Sequence, residues 1–221
     1  MKRVEIKNKQ GNVIGKIQFH SNQNKNTVES IISELRPGDG KAIYDAEATD
    51  NKFTQQTNYA AVNWDEGFES LKERLSPWQP LFPTLSKIHK IQVYYGFDNL
   101  LSHEIDEMIE ESERSRKNVV VRDLKPNNTL VGVDITYHSD QGTYRFRIFG
   151  TTKSRIQVPD SENSKIEKLE VRGNEAFYIS SVNNQQLVWI EEDSGGKAIQ
   201  YEFMGNDIQK CVLFSIAESM I

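Results

Sequence analysis

From Val131 onward, apolar and polar residues alternate in short runs about ten residues apart, a pattern that confines this part of the chain to antiparallel sheet. Val133, Ile135 and Tyr137 alternate, a turn follows at Ser139-Asp140-Gln141-Gly142, and Tyr144, Phe146 and Ile148 alternate again. Further strands are expected at Ile166–Val171, Ala176–Ile179, Leu187–Glu191 and Ile199–Phe203. Turns at Arg172-Gly173-Asn174, Val182-Asn183-Asn184 and Ser194-Gly195-Gly196 separate them. The chain then closes with Asn206 or Asp207 as a helix cap, and Ile208, Cys211, Val212, Ser215 and Ile216 fall on one helical stripe. A terminal helix should cover one face of the sheet.

Residues 1–125 mix periods. Val4 and Ile6, then Val13, Ile17 and Phe19, flank Lys9-Gln10-Gly11-Asn12 and read as an opening hairpin. Val28, Ile31, Ile32 and Leu35 recur at helical spacing between a capping Asn26 and the stop Pro37-Gly38. Residues 45–63 are polar and without clear period, a long loop or a weak strand pair. A second helix is expected over Phe68, Leu71 and Leu75, and prolines at 77, 80 and 83 force an extended path after it. Ile88–Tyr95 reads as a strand. Leu101, Ile105, Met108 and Ile109 make one helical face that is expected to dissolve in the charged run Glu110–Lys117. Val119-Val120-Val121 is another strand, and Pro126-Asn127-Asn128 a linker. The fold class is therefore α+β in two parts: a mixed region over 1–125, and an antiparallel sheet with a terminal helix over 126–221.

Charge removes some functions. With 27 basic against 32 acidic residues, the net charge of −5 gives no general attraction to phosphate backbones or anionic lipid, so nucleic acid is not an expected partner. One cysteine, Cys211, excludes an intrachain disulfide and any multi-cysteine metal site. No apolar run approaches the ~18 residues of a membrane span, and residues 1–20 lack the apolar stretch of a signal peptide. The chain as it stands reads as soluble, attached to a membrane only through a segment outside it.

The pieces DITYHSDQGTYRFRIFG, LEVRGNEAFYI, QLVWIEEDSGGKAIQYEFMG with Trp189, and a last helix ending FSIAESM carry a resemblance over about residues 131–221. This region resembles the bacterial family called domain of unknown function 4367, found mostly in exported or membrane-anchored Gram-positive proteins. The resemblance implies a folded extracytoplasmic module and brings no catalytic residue with it. It leaves residues 1–125 without a family.

Chemistry-bearing motifs are sparse. In Ser102-His103-Glu104-Ile105-Asp106-Glu107, His103 and Glu107 lie four apart and could share a helix face as metal ligands, but zinc needs three or four. An HExxH helix would place His at 107, where Glu stands, and His20, His89 and His138 have no local partner. Against metal binding stands a solvated acidic helix face. Cys211, on the apolar stripe, reads as a buried thiol. Gly38-Asp39-Gly40 and Ser194-Gly195-Gly196-Lys197 lack the form of a phosphate loop, and no Gly-x-Ser-x-Gly elbow occurs.

Trp78, Phe82, Tyr94, Tyr95 and Phe97 gather near three prolines and could present a ligand or partner surface, with internal packing as the alternative. The expected function is thus a non-catalytic extracytoplasmic module that binds a protein partner or senses an envelope signal, with no cofactor. Alternatives are a carrier for a small apolar ligand held between sheet and helix, a metal-assisted hydrolase using His103 and Glu107, and a cytoplasmic location.

Overall fold

The structure, a computed structural model, describes residues 3–20, 27–49, 52–84, 87–140, 142–151, 154–159, 164–181, 184–192, 197–206 and 208–221. Arg3, residues 18–20, Thr151, residues 154–159 and Asn184 are described in backbone alone. The expected Asn26 cap, Gln141, Val182-Asn183, the Ser194-Gly195-Gly196 turn and Asp207 lie outside these residues. The protein is α+β, and its strands are mostly antiparallel. No helix among the described residues is long and apolar enough to cross a membrane.

Two compact units interleave in sequence. One takes residues 1–21, 63–93 and 131–221, the other 22–62 and 94–130. The expected parts, 1–125 and 126–221, are a different partition of the chain from these spatial units.

The larger unit opens with strands β1 (Arg3–Lys7) and β2 (Val13–His20). Their hairpin is closed by Asn8, whose side-chain oxygen accepts the N–H groups of Gln10 (3.1 Å) and Asn12 (2.8 Å). Gly11 takes the positive φ of +84° that this turn requires. Helix α2 (Phe68–Arg74) comes from the middle segment.

The elements of the smaller unit are α1 (Thr27–Ser33), β3 (Asp39–Asp45), β4 (Phe53–Asn58), α3 (Ser102–Ser115) and β7 (Val119–Asp123). They form the antiparallel sheet β4-β3-β7, on which Met108 of α3 packs with Ala42, Tyr44, Val120 and Leu124. The polar stretch after Asp45 is thus a strand pair in part, because β4 takes its hydrogen bonds from β3.

Two expectations here need correction. α3 continues through the charged run to Ser115, since losing the apolar stripe does not remove the helix propensity of Glu, Ser and Arg. It ends at Arg116, with φ +54°, where Lys117 N–H reaches the Ser112 carbonyl at 3.2 Å. Pro126-Asn127-Asn128 is no linker but the start of β8 (Pro126–Ser139), because proline is tolerated as the first residue of a strand. The strands on either side of α3, β6 (Lys87–Phe97) and β7, belong to different sheets.

The remaining strands are β5 (Ala61–Asn63), β9 (Gly142–Thr151), β10 (Ser154–Pro159), β11 (Lys165–Val171), β12 (Asn174–Ser181), β13 (Asn184–Glu192) and β14 (Ala198–Gly205). An eight-stranded sheet runs β11-β12-β13-β14-β9-β8-β6-β5. It is antiparallel from β11 across to β8, and β11–β14 form a meander, but the expected continuous meander is broken after β9, whose next neighbour is β14 and not β11. β10, absent from the sequence reading, pairs parallel to β2.

One face of the large sheet carries Trp189, Tyr201, Phe203, Phe146, Tyr144 and Tyr137, all fully buried. Their rings stack across strands, Phe146 on Phe203 at 4.7 Å and Trp189 on Tyr201 at 5.1 Å between centroids. Helix α4 (Lys210–Glu218) lies over this face, with Lys210 pairing Glu167 at 2.6 Å and standing 5.4 Å over the Tyr178 ring. The chain end then pairs with Phe82 through two backbone hydrogen bonds.

The expected stripe of α4 is misphased. Leu213 and Ala217 are its buried residues and Cys211 is exposed, so the thiol is not in the core. The helix begins after Gln209, not at Asn206 or Asp207. On the opposite sheet face, Phe177, Ile179, Val188, Ile190 and Ala198 pack against Ile6 and Ile17 of the opening hairpin.

Candidate functional site

Beside that apolar patch the same face changes character. The cross-strand register puts Asp134 opposite Arg147 and Arg147 opposite Glu202, in one row across β8, β9 and β14. Arg145 sits two residues along β9 on the same face. Asp134 is 2% exposed and Glu202 6%, so both carboxylates have lost most of their water and need replacement partners.

Asp134 accepts from Arg145 Nε at 3.2 Å and Arg147 Nε at 2.8 Å, and it is paired with Arg145 Nη2 as well. Glu202 is held less firmly. Arg147 Nη1 stands 3.9 Å from its Oε2, and Gln200 Nε2 donates to its Oε1. Burial pushes the Glu202 carboxyl above the usual carboxylate range, opposed by the Arg147 charge and by hydrogen bonds from Gln200 and Gln186. The Asp134 charge pushes it up further.

Two acids and two guanidiniums balance, and Asp134 has its lone pairs taken by arginine. The group is built to pin the register of three strands, with Glu202 as its proton-accepting member. The sequence reading missed it because alternation marks these positions only as the face away from the aromatic core. The available signal was four charges of balanced sign at one parity on strands expected to lie near each other.

The raised Glu202 value has a definite sign. Between the unfolded and folded values the native state binds more protons, so this stabilisation is complete below the unfolded value and is lost as pH rises through the folded one. Glu202→Gln should therefore leave stability unchanged at low pH. As pH rises toward 8 the comparison should move in favour of the glutamine, the direction set by the burial that disfavours the Glu202 anion. Thermal melts at pH 3.5 and pH 8 check this; a loss at pH 8 that is absent at pH 3.5 would show that the carboxylate is needed as an anion.

The aromatic candidates divide between the units. In the larger unit Phe82 is buried and packs edge-on against Phe68 at 5.1 Å and Phe146 at 6.5 Å. Trp78 is half-buried, and its ring lies over Gly150, where a Cβ would come within 2.9 Å of it. In the smaller unit Tyr94 is buried, Tyr95 half-buried, and the half-buried Phe97 lies 6.0 Å from Tyr59 and over Gly40. Each of the five is at least half-buried.

His103 and Glu107 stand exposed on α3. Among the described residues no group of three or more His, Cys, Asp or Glu could hold a metal ion. Gly38-Asp39-Gly40 leads into β3. His89 and His138, without partners along the chain, are brought together in space. They lie on the neighbouring strands β6 and β8 with ring centroids 4.4 Å apart.

The last elements of the chain interlock at one corner. Arg172, at φ +51°, donates its N–H to Glu218 at 2.8 Å, its Nη1 to the Met220 carbonyl at 3.0 Å and its Nε to Glu191 at 3.2 Å. The Ala-Glu-Ser-Met helix end therefore docks the helix onto the β11–β12 turn. Residues 127–220 match the profile of Domain of unknown function (DUF4367). The DUF4367 match begins in β8, four residues before the expected start, and ends with α4. It takes in the aromatic face, the Asp134–Glu202 row and the Arg172 corner, and covers fewer than half of the residues. Searches of curated proteins and of solved structures each found no match.

Proposed function

We propose that this chain is a non-catalytic extracytoplasmic module of a Gram-positive envelope protein, acting by binding a protein partner or sensing an envelope signal. The observation that carries the reading is the use made of the DUF4367-matching side chains. Trp189, Tyr201 and Phe203 stack in the interior, Asp134 is saturated by two arginines, and Glu218 docks a helix. Residues employed in this way support the reading of a rigid platform. Location outside the cytoplasm rests on the family resemblance. The carrier reading draws no support from these rings, whose faces are occupied by one another.

Protease treatment of intact producing cells, followed by detection with an antibody to this chain, tests the placement. The protein should be digested while a cytoplasmic marker survives. Protection equal to the marker's would overturn it. A membrane-impermeant cross-linker applied to the same cells should convert the chain into a discrete heterodimer, and a chain that stays wholly monomeric would refute partner binding.

A further inference from the structure

The geometry points to a surface site at His89 and His138 for one imidazole-seeking divalent cation, Cu²⁺ in preference to Zn²⁺. Both residues are exposed, on neighbouring strands of the eight-stranded sheet, and their rings approach to 4.4 Å between centroids at a tilt of 45°. Two rigid strands thus present two imidazoles together without any ordering of a loop.

The His138 ring is also oriented. Thr143, directly opposite it in the β8–β9 ladder, places Oγ1 2.7 Å from Nδ1. The tautomer in which Nδ1–H donates to that hydroxyl leaves the lone pair on Nε2, where a metal can take it. This is the outer hydrogen bond that fixes tautomer and aim in metal-binding histidines.

A metal held at ~2.0–2.1 Å from each nitrogen needs the two donor atoms about 3 Å apart, a separation of the order of the 4.4 Å between these ring centroids, and exposed His89 is free of the core packing that would fix its rotamer. The nearest cation along β9 on that face, Arg145, has its charge engaged by the buried Asp134. The chain's net charge of −5 favours cation approach. Imidazole donors with water completing the shell select copper, nickel and zinc over magnesium and calcium, with copper bound most tightly. A simple cross-strand packing pair would use the same rings, but it would show no metal response.

The test is calorimetric titration of the full-length, tag-free chain with Cu²⁺, Zn²⁺ and Mg²⁺, together with electron paramagnetic resonance of the Cu²⁺ form. The expected result is one Cu²⁺ per chain with nitrogen hyperfine structure, weaker Zn²⁺ binding and no Mg²⁺ binding. His89→Ala and His138→Ala should each remove the stoichiometric event, Thr143→Val should weaken it by about tenfold, and His103→Ala should leave it intact. Because both histidines are exposed, the variants should keep the circular dichroism of the parent. Absence of Cu²⁺ binding, or binding retained by the double His89→Ala/His138→Ala variant, overturns the site. So does loss of binding in His103→Ala.

Discussion

Trp189→Ala is expected to lower stability by about 3–5 kcal/mol, the usual loss when a large aromatic side chain is removed from a packed interior. Trp189 is fully buried in the stacked face, 5.1 Å from Tyr201 and 5.8 Å from Phe203 between ring centroids. Its neighbours cannot close the gap, because they are themselves fixed. Tyr201 Oη accepts the Leu81 N–H at 3.1 Å, and burial pushes the Tyr201 phenol up to about 12. Phe203 is stacked on Phe146 as well. The indole Nε1–H also donates to Glu191 at 3.0 Å, the carboxylate that Arg172 uses at the helix-docking corner. Removing the ring should therefore loosen α4 as well as the sheet.

Two-state domains this size shift by roughly 2–4 °C per kcal/mol, so a fall of about 10 °C in Tm is expected. Trp189→Phe should recover more than half of it by restoring a stacking ring. Calorimetry of the three proteins decides the matter, and a loss under 1 kcal/mol in Trp189→Ala would mean that the face is not tightly packed.

The strands whose partners follow within about ten residues were legible, because alternation and turn chemistry act locally. β8 with β9 and β11 through β14 are of this kind. β10 was missed for the opposite reason: Ile156 and Val158 alternate, but the run is short, has no hairpin partner beside it, and pairs in parallel with β2 far back in the chain. Helix α4 was legible as a helix but not in phase. Cys211, Val212, Leu213, Phe214, Ile216 and Ala217 make it apolar almost all round, and period alone cannot choose a face. The choice comes from tertiary anchors, Ile208 against Gly205 and the last residue against Phe82. The His89–His138 pair depends on the adjacency of β6 and β8, which no local pattern encodes. The family resemblance pointed to the right stretch because its motifs, Trp189 and the Ala217-Glu218-Ser219 end, are the packing and docking residues themselves.

The ionic row makes the second large prediction. Asp134→Ala takes away the one carboxylate that Arg145 and Arg147 share, leaving two guanidiniums beside apolar sheet. Breaking a fully buried pair costs about 3–5 kcal/mol. The Arg145 side chain is 45% exposed and Arg147 27%, so water recovers part of this and about 2–3 kcal/mol is expected. The variant also changes Glu202. The Asp134 charge is one of the influences that hold the Glu202 carboxyl up, and once it is gone Arg147 no longer divides between the two carboxylates of the row.

Glu202→Gln should thus reverse its effect at pH 8, from stabilising in the parent to destabilising in Asp134→Ala. The resulting coupling should fall in the 0.5–3 kcal/mol range of residues that share one network. Denaturant unfolding of the four proteins at pH 8, with the slope held constant, measures it directly. If Glu202→Gln has the same effect in both backgrounds, the row is three separate contacts and not a coupled register pin.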